Sequence, residues 1–160
     1  VYMPANGVVQ GMRPIMSYNY GAGSRKRMME TLKSSLQLAG AIMLLGTVLF
    51  LACPERIMKL FDAGDEMMRL GVPMLRIISL GFVASTVGCV LSGSFEALGQ
   101  GLHSLIISML RQLVIIVPLS ALFCRIWGIY GVWVTFPLAE LIAAAAAVVL
   151  FKRFMKKLKV

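Results

Sequence analysis

The sequence has 160 residues, of which 59% are hydrophobic and 14% are charged, and its mean hydropathy is +0.83. Soluble domains are usually about 45–50% apolar and about 25% charged, so this composition excludes an ordinary soluble domain. The formal net charge is +9, but the cations stand at the ends of apolar blocks and form no stripe interleaved with aromatic residues, which argues against nucleic acid as a partner. We predict an all-α integral membrane protein built as a polytopic bundle of transmembrane helices.

Five apolar segments are long enough to cross a hydrocarbon core about 30 Å thick, which takes roughly 20 helical residues. The approximate spanning helices are residues 2–18, 34–52, 70–98, 102–124 and 129–151. The third segment is long enough to tilt or kink. Because the sequence begins with Val1 and not with methionine, and does so already inside a helical pattern, we expect the chain to be the C-terminal part of a longer protein.

The charges of the connecting segments predict the orientation of the helices. Arg25, Lys26 and Arg27 follow the first helix, and a basic tail of residues 152–160 follows the last. The segment 54–69 mixes acidic and basic residues. Cytoplasmic loops carry the excess of Lys and Arg, and five crossings put both basic stretches on one side. We therefore expect a multi-pass protein of the plasma or inner membrane with a cytoplasmic C-terminus.

Ionisable residues at membrane depth are costly and usually face a cavity or a charged partner. Arg13, Arg111 and Glu140 are our candidate residues for a substrate cavity, and antiparallel neighbouring helices make an Arg111–Glu140 pair plausible. The alternative is a purely structural pair between helices. Glu96 lies near the inner end of its helix, where we expect its side chain to snorkel or to pair with a basic loop.

Catalytic and metal sites lack support in the sequence. His103 is the single histidine, so no Ser/His/Asp or Cys/His set can be assembled and no metal ligands recur at a suitable spacing. Cys53, Cys89 and Cys124 are widely spaced within or beside apolar blocks and are interpreted as small buried hydrophobic residues. We predict no enzyme activity, no metal site and no bound cofactor.

Several motifs, taken in order, resemble the MATE family of multidrug and toxic compound extrusion transporters. Gln10-x-x-x-Pro14 with the turn from Asn19 to Gly23 resembles the end of the eighth helix of that family and the loop after it. Later stretches of the sequence resemble later parts of the family in the same order and topology. They are residues 54–61, residues 93–99, Arg111 with residues 116–119, and residues 128–137. The similarity extends over nearly the whole chain.

The resemblance implies a twelve-helix transporter with two six-helix lobes around a central cleft, of which residues 1–160 form most of the C-terminal lobe. It implies a secondary active antiporter that exports organic, often cationic, compounds in exchange for Na⁺ or H⁺. The partners would be amphiphilic or cationic small molecules, membrane lipid and the missing N-terminal lobe. Some members carry a coupling aspartate in helix ten, but residues 77–90 contain no carboxylate. We therefore expect the coupling-ion site in the missing lobe.

Two other functions remain open at this stage. A lipid-linked sugar flippase of the same superfamily would need a more cationic cavity for a pyrophosphate, and Arg13 and Arg111 are the deep cations available. A non-transporting membrane scaffold subunit would need no cavity at all. An upstream half with a second copy of the Gln–Pro–Asn–Gly–Ala pattern would distinguish a transporter from a scaffold.

Overall fold

The structure, a computed structural model, describes residues 2–62 and 64–157. Over these two ranges the chain is helical and contains no β-strand. The predicted all-α membrane helix bundle is confirmed. The helices are α1 (Tyr2–Gly21), α2 (Arg25–Ala52), α3 (Pro54–Leu60), α4 (Asp65–Ser79), α5 (Phe82–Ala97), α6 (Gly101–Met109), a π-helical segment (Leu110–Ile116), α7 (Val117–Trp127) and α8 (Ile129–Lys157).

Within the described residues, three uninterrupted helical stretches are long and apolar enough to cross a membrane, namely Arg25–Ala52, Gly101–Trp127 and Ile129–Lys157. The bent pair of α4 and α5 is a fourth if it counts as one span. Helix α1 has 20 residues, the length that a span needs, but polar residues lower its hydropathy. Its assignment as a fifth span stays a prediction.

Several boundaries differ from those predicted from the sequence. Helix α2 starts at Arg25, nine residues before the predicted start of the second span at residue 34, and the charged segment 54–69 contains the short helix α3. Pro54 starts α3 because its missing N–H is not needed in the first turn of a helix. Helix α8 continues to Lys157, so most of the predicted tail is helical, whereas residues 158–160 lie outside the described part of the chain.

The core lies around α5, which contacts α1, α2, α6 and α8. Buried positions of α1 and α2 recur every three, four or seven residues, as expected for helices that each bury one face. They meet the buried side chains of α5 and α8, and this core includes Met12, Met16, Met28, Met43, Val90, Phe95 and Phe151. Many large apolar side chains of α2 and α7 are exposed on the opposite faces, which is the arrangement expected for helices that face lipid.

The glycine at position 93 lets α1 and α5 approach closely. A Cβ atom built on Gly93 would lie 2.3 Å from Cγ1 of the buried Val9. Small residues at helix interfaces allow such close packing in membranes. The sequence suggests that Ala97 and Gly101 continue the same face, but Gly101 is exposed and starts α6 after the turn at Leu98–Gln100, so it does not belong to this interface.

The third predicted helix is bent. Helices α4 and α5 meet at an angle of 52° across Leu80 and Gly81, in agreement with the predicted tilt or kink. At this break the hydroxyl of Thr47 on α2 donates to the Ser79 carbonyl oxygen at 3.1 Å. A carbonyl released from its helical partner inside a bundle needs such a replacement donor.

The fourth span changes its helical register halfway along. Residues Leu110–Ile116 form a π-helix, and Pro118 is the second residue after it, in the first turn of α7. Proline has no N–H for the carbonyl four residues earlier, so a wider turn before it relieves a local conflict. Arg111 belongs to this segment. Such segments occur often at functional sites, which makes Arg111 a residue of interest independently of its charge.

The two basic stretches of the chain lie on the same side of the bundle. Nη2 of Arg25, the first residue of α2, donates to the carbonyl oxygen of Met155 in the last turn of α8 at 3.3 Å. These residues are 130 positions apart in sequence. The contact agrees with the crossing count, which required both stretches on one face of the membrane.

We expect Gly93→Ala to destabilise the protein because the added methyl group collides with Val9, whereas Gly88→Ala should not. Gly88 is also buried on α5, but a Cβ atom there would meet nothing within 4 Å. Overpacking costs about 1–3 kcal/mol. Thermal unfolding of the full-length protein in detergent should give a lower midpoint for Gly93→Ala than for Gly88→Ala, and equal midpoints would contradict the close approach.

Candidate functional site

A small, partly open cavity of about 120 Å³ lies where α1, α5, α6, the π-helical segment and α8 meet. We call it the ion-pair cavity. Its apolar walls come from small or aliphatic residues such as Val9, Gly93 and Ala143. Its polar lining consists of Asn6, Arg13, Cys89, Ser92, Glu96, Ser108 and Arg111. Polar and charged side chains of several helical elements therefore converge on one place.

The first ion pair joins Arg111 and Glu140. Nη1 of Arg111 lies 3.3 Å from Oε2 and 3.4 Å from Oε1 of Glu140. The side chains are 26% and 14% exposed, respectively, so each charge has lost most of its contact with the surroundings. Burial of an unpaired charge is costly, and the pair compensates that cost between the π-helical segment and α8. The structure thus brings together the two residues that the sequence suggested as partners.

The second ion pair joins Arg13 on α1 and Glu96 on α5 through Nη2 and Oε2. It is more exposed than the first, with side-chain exposures of 35% and 38%. Nη1 of Arg13 also donates to the Gln10 side-chain oxygen at 3.1 Å. Of the two expectations for Glu96, snorkelling stays a prediction, and the ion-pair partner is not a residue of the basic loop. Its partner is an arginine on a neighbouring helix, because α1 and α5 pack closely at Gly93.

Two serines extend the second ion pair into a hydrogen-bonded chain. The Ser104 hydroxyl donates to Oε1 of Glu96 at 2.7 Å, and the Ser104 and Ser92 hydroxyl oxygens lie 2.6 Å apart. Ser104 is buried on α6, on the far side of the turn at Leu98–Gln100 from Glu96. The carboxylate of Glu96 is thus held from α1 and α6 at once.

All three residues predicted for a substrate cavity lie at this site. Arg13 and Arg111 line the cavity, and Glu140 is bound to Arg111. Whether a substrate or ion contacts them stays a prediction. Sequence reasoning missed Ser92 and Ser104, and it gave Glu96 a peripheral role. Helical periodicity cannot reveal a contact made across a turn between two helices, so no signal in the single sequence identifies this serine chain.

The part of the chain that the structure describes contains no cluster of side chains that could bind a metal ion. Across residues 2–62 and 64–157 no three His, Cys, Asp or Glu side chains lie together in a metal-binding arrangement. The carboxylates of the cavity, Glu96 and Glu140, each contact an arginine. The site is therefore described by its two ion pairs.

A model of the family described as MatE matches residues 1–122. The chain belongs to the MatE family. The match includes α1 to α6, the π-helical segment and the first half of α7, and therefore all residues of the ion-pair cavity except those on α8.

Curated relatives of this MatE chain include proteins named multidrug export protein MepA. The relative from Staphylococcus aureus is 23% identical over 144 residues, which is 90% of this chain and 32% of the relative. The relative from Staphylococcus haemolyticus is 23% identical over 154 residues, or 96% of this chain and 34% of the relative. The MatE chain thus spans about a third of the length of these relatives.

Solved structures of transporters share this fold. The MATE multidrug transporter DinF-BH superposes with a TM-score of 0.86 at 32% identity, covering 94% of this chain and 34% of DinF-BH. A transporter of the MOP superfamily from Pyrococcus furiosus superposes with a TM-score of 0.90 at 21% identity, covering 98% of this chain and 36% of the other. The second likeness concerns the fold alone.

The two ion pairs should differ in their coupling free energy. We expect a double-mutant cycle with Arg111→Met and Glu140→Gln to give a coupling of about 1–2 kcal/mol. The cycle with Arg13→Met and Glu96→Gln should give about 0.2–1 kcal/mol, because that pair is more exposed. Denaturant titration of the full-length protein in mixed micelles measures both cycles. A larger coupling for Arg13–Glu96 would contradict this ranking.

Proposed function

We propose that this chain forms most of the C-terminal lobe of a secondary active antiporter that exports organic, often cationic, compounds in exchange for Na⁺ or H⁺. Membership of the MatE family supports a transporter and not an enzyme. Relatives named as multidrug export proteins and a structurally related multidrug transporter support drug-like molecules as substrates. The observation that carries the proposal is the ion-pair cavity, since polar and charged groups of several helical elements converge there.

In this proposal, Arg13, Arg111 and Glu140 contribute to the substrate cavity. A cationic compound that approaches Glu140 competes with Arg111 for the carboxylate oxygens. Ionisable groups inside membrane proteins commonly mark ion and substrate pathways. Glu140 is the candidate for direct contact because it is the more buried carboxylate of the two pairs. Pro14 and Pro137, which lie inside the helices α1 and α8, are compatible with the interrupted helices of secondary transporters.

The coupling ion is proposed to bind outside this chain, in the N-terminal lobe of the complete transporter. Residues 77–90, which include much of α5, contain no aspartate or glutamate. The first carboxylate after them is Glu96, and it already accepts hydrogen bonds from Arg13 and Ser104. A site for Na⁺ needs several oxygen ligands, and this pattern leaves α5 no unengaged carboxylate for one.

The lipid-linked sugar flippase gains no support from the cavity. A pyrophosphate needs an excess of positive charge, but each of Arg13 and Arg111 is paired with a glutamate. The four charges therefore balance. Drug export remains the favoured function because a cavity without excess positive charge does not repel organic cations.

A cytoplasmic C-terminus is part of the proposal. The contact of Arg25 with Met155 supports one membrane face for both basic stretches, and the excess of Lys and Arg favours the cytoplasmic face.

Cells that express the full-length protein should accumulate less ethidium than cells without it. Dissipation of the Na⁺ or H⁺ gradient should restore accumulation, because an antiporter has no other energy source. Fluorescence of cell-bound ethidium measures the effect. Equal accumulation in both kinds of cell, with the protein present in the membrane, would count against export of this dye.

Glu140→Gln should weaken transport more than Glu96→Gln, which is the matched control. Both substitutions keep the shape of the side chain and remove one charge from an ion pair next to the same cavity. Glu140 is the more buried of the two carboxylates, so its loss leaves Arg111 with less solvent to compensate. Initial efflux rates at equal protein abundance provide the test, and near-normal rates in both variants would remove Glu140 from the proposed site.

A further inference from the structure

A groove with a volume of about 430 Å³ lies between the start of α2 and the end of α8. We call it the basic groove. Four exposed cations line it, namely Arg25, Lys152, Arg153 and Lys156. None of its lining residues is an aspartate or a glutamate within the described ranges. The groove therefore combines a strong positive charge with a definite shape, unlike an evenly solvated basic surface.

The walls of the basic groove are apolar. Met29 and Val149 are 41% and 49% exposed, whereas Phe151 and Met155 are 5% and 6% exposed. The groove thus combines two buried apolar side chains, two exposed apolar side chains and four exposed cations. A ligand that fits must present negative charge to the cations and hydrocarbon to the walls. A small soluble anion would use the cations alone and leave the apolar surface in contact with water.

The position of the groove supplies the second constraint. Helices α2 and α8 are both apolar enough to cross a membrane, and the groove lies at the ends where their basic residues occur. Such ends meet the headgroup layer. Basic pockets between transmembrane helices at this depth suit the headgroups of anionic lipids.

From this charge and depth, we propose that the basic groove binds an anionic phospholipid, with the phosphate on the cations and the first part of an acyl chain along Met29 and Val149. Nothing in the transport proposal assigns this site, and the inference does not depend on it.

Arg25 also links the two helices that form the groove. One of its N–H groups donates to the Met155 carbonyl oxygen at 3.3 Å, and a guanidinium has five such donors. The same residue can therefore hold the two walls together and still contact a phosphate. A bound lipid would add a second link between α2 and α8, at the point where their contact defines the groove.

The matched control is a set of cations on the same membrane face that lie outside the groove. Lys26 and Lys33 line a neighbouring groove together with Glu30, whose carboxylate lowers the local positive charge, and Arg27 is exposed beside them. Substitution of these three removes as much charge as substitution of the three α8 cations.

The experiment measures binding of fluorescent phosphatidylglycerol and phosphatidylcholine to the full-length protein in detergent micelles. We expect the variant K152Q/R153Q/K156Q to bind phosphatidylglycerol about tenfold more weakly, since each basic residue near a membrane surface contributes to the attraction. The control K26Q/R27Q/K33Q should change affinity less than about twofold. Phosphatidylcholine should bind more weakly than phosphatidylglycerol and equally to all three proteins. Equal losses in both variants, or no preference for phosphatidylglycerol, would overturn the proposal.

Two further measurements test the proposal in other ways. One distinguishes a lipid headgroup from free phosphate, and the other uses a variant that keeps all four cations. Excess inorganic phosphate should fail to displace phosphatidylglycerol, and full displacement would show a site for a free anion instead. In Met29→Trp, which retains all four cations, brominated phosphatidylglycerol should quench the new tryptophan more than brominated phosphatidylcholine does. Equal quenching by both lipids would contradict specific binding in the groove.

Discussion

The distance between α1 and α5 is the constraint on which the candidate site depends. Gly93 removes the side chain that would keep Val9 away, and the resulting approach brings Arg13 within reach of Glu96. The same two helices supply much of the cavity lining. A larger residue at position 93 would separate the helices, lengthen the ion pair and open the cavity. Packing and electrostatics at this site therefore cannot vary independently.

Both ion pairs compensate the loss of solvation of buried charges, but they differ in how deeply the charges are buried. Arg111 and Glu140 are more buried, so their pairing compensates a larger loss of solvation than that of Arg13 and Glu96. Glu96 has additional support from the Ser104 hydroxyl. In the proposed function, the Arg111–Glu140 pair responds to a competing charge, whereas the Arg13–Glu96 pair holds α1, α5 and α6 together. This division of roles is the physical basis for expecting unequal effects of neutralising the two glutamates.

Sequence alone was sufficient for the helical membrane fold, for the family and for the Arg111–Glu140 pair, because hydropathy and the order of the motifs are local properties. It failed at contacts that depend on how helices pack. Glu96 could not be matched with Arg13, since the distance between α1 and α5 is not encoded in either segment separately. The π-helical segment around Arg111 was also missed, although Pro118 lies two residues after its end. Predicted and observed boundaries differ where charged residues continue a helix beyond the apolar core, as at Arg25 and Lys157.

The bend between α4 and α5 has a mechanical consequence. A Cβ atom on Gly81 would lie 3.0 Å from the Cα atom of Pro137 on α8. The bend between α4 and α5 is therefore in close contact with the proline inside α8. This contact with α8 supports the 52° bend. A change in the angle between α4 and α5 would alter this contact with α8 at Pro137, three residues before Glu140. Movement of α4 at the edge of the bundle would thus be transmitted as a displacement of the helix that carries the more buried carboxylate of the two ion pairs.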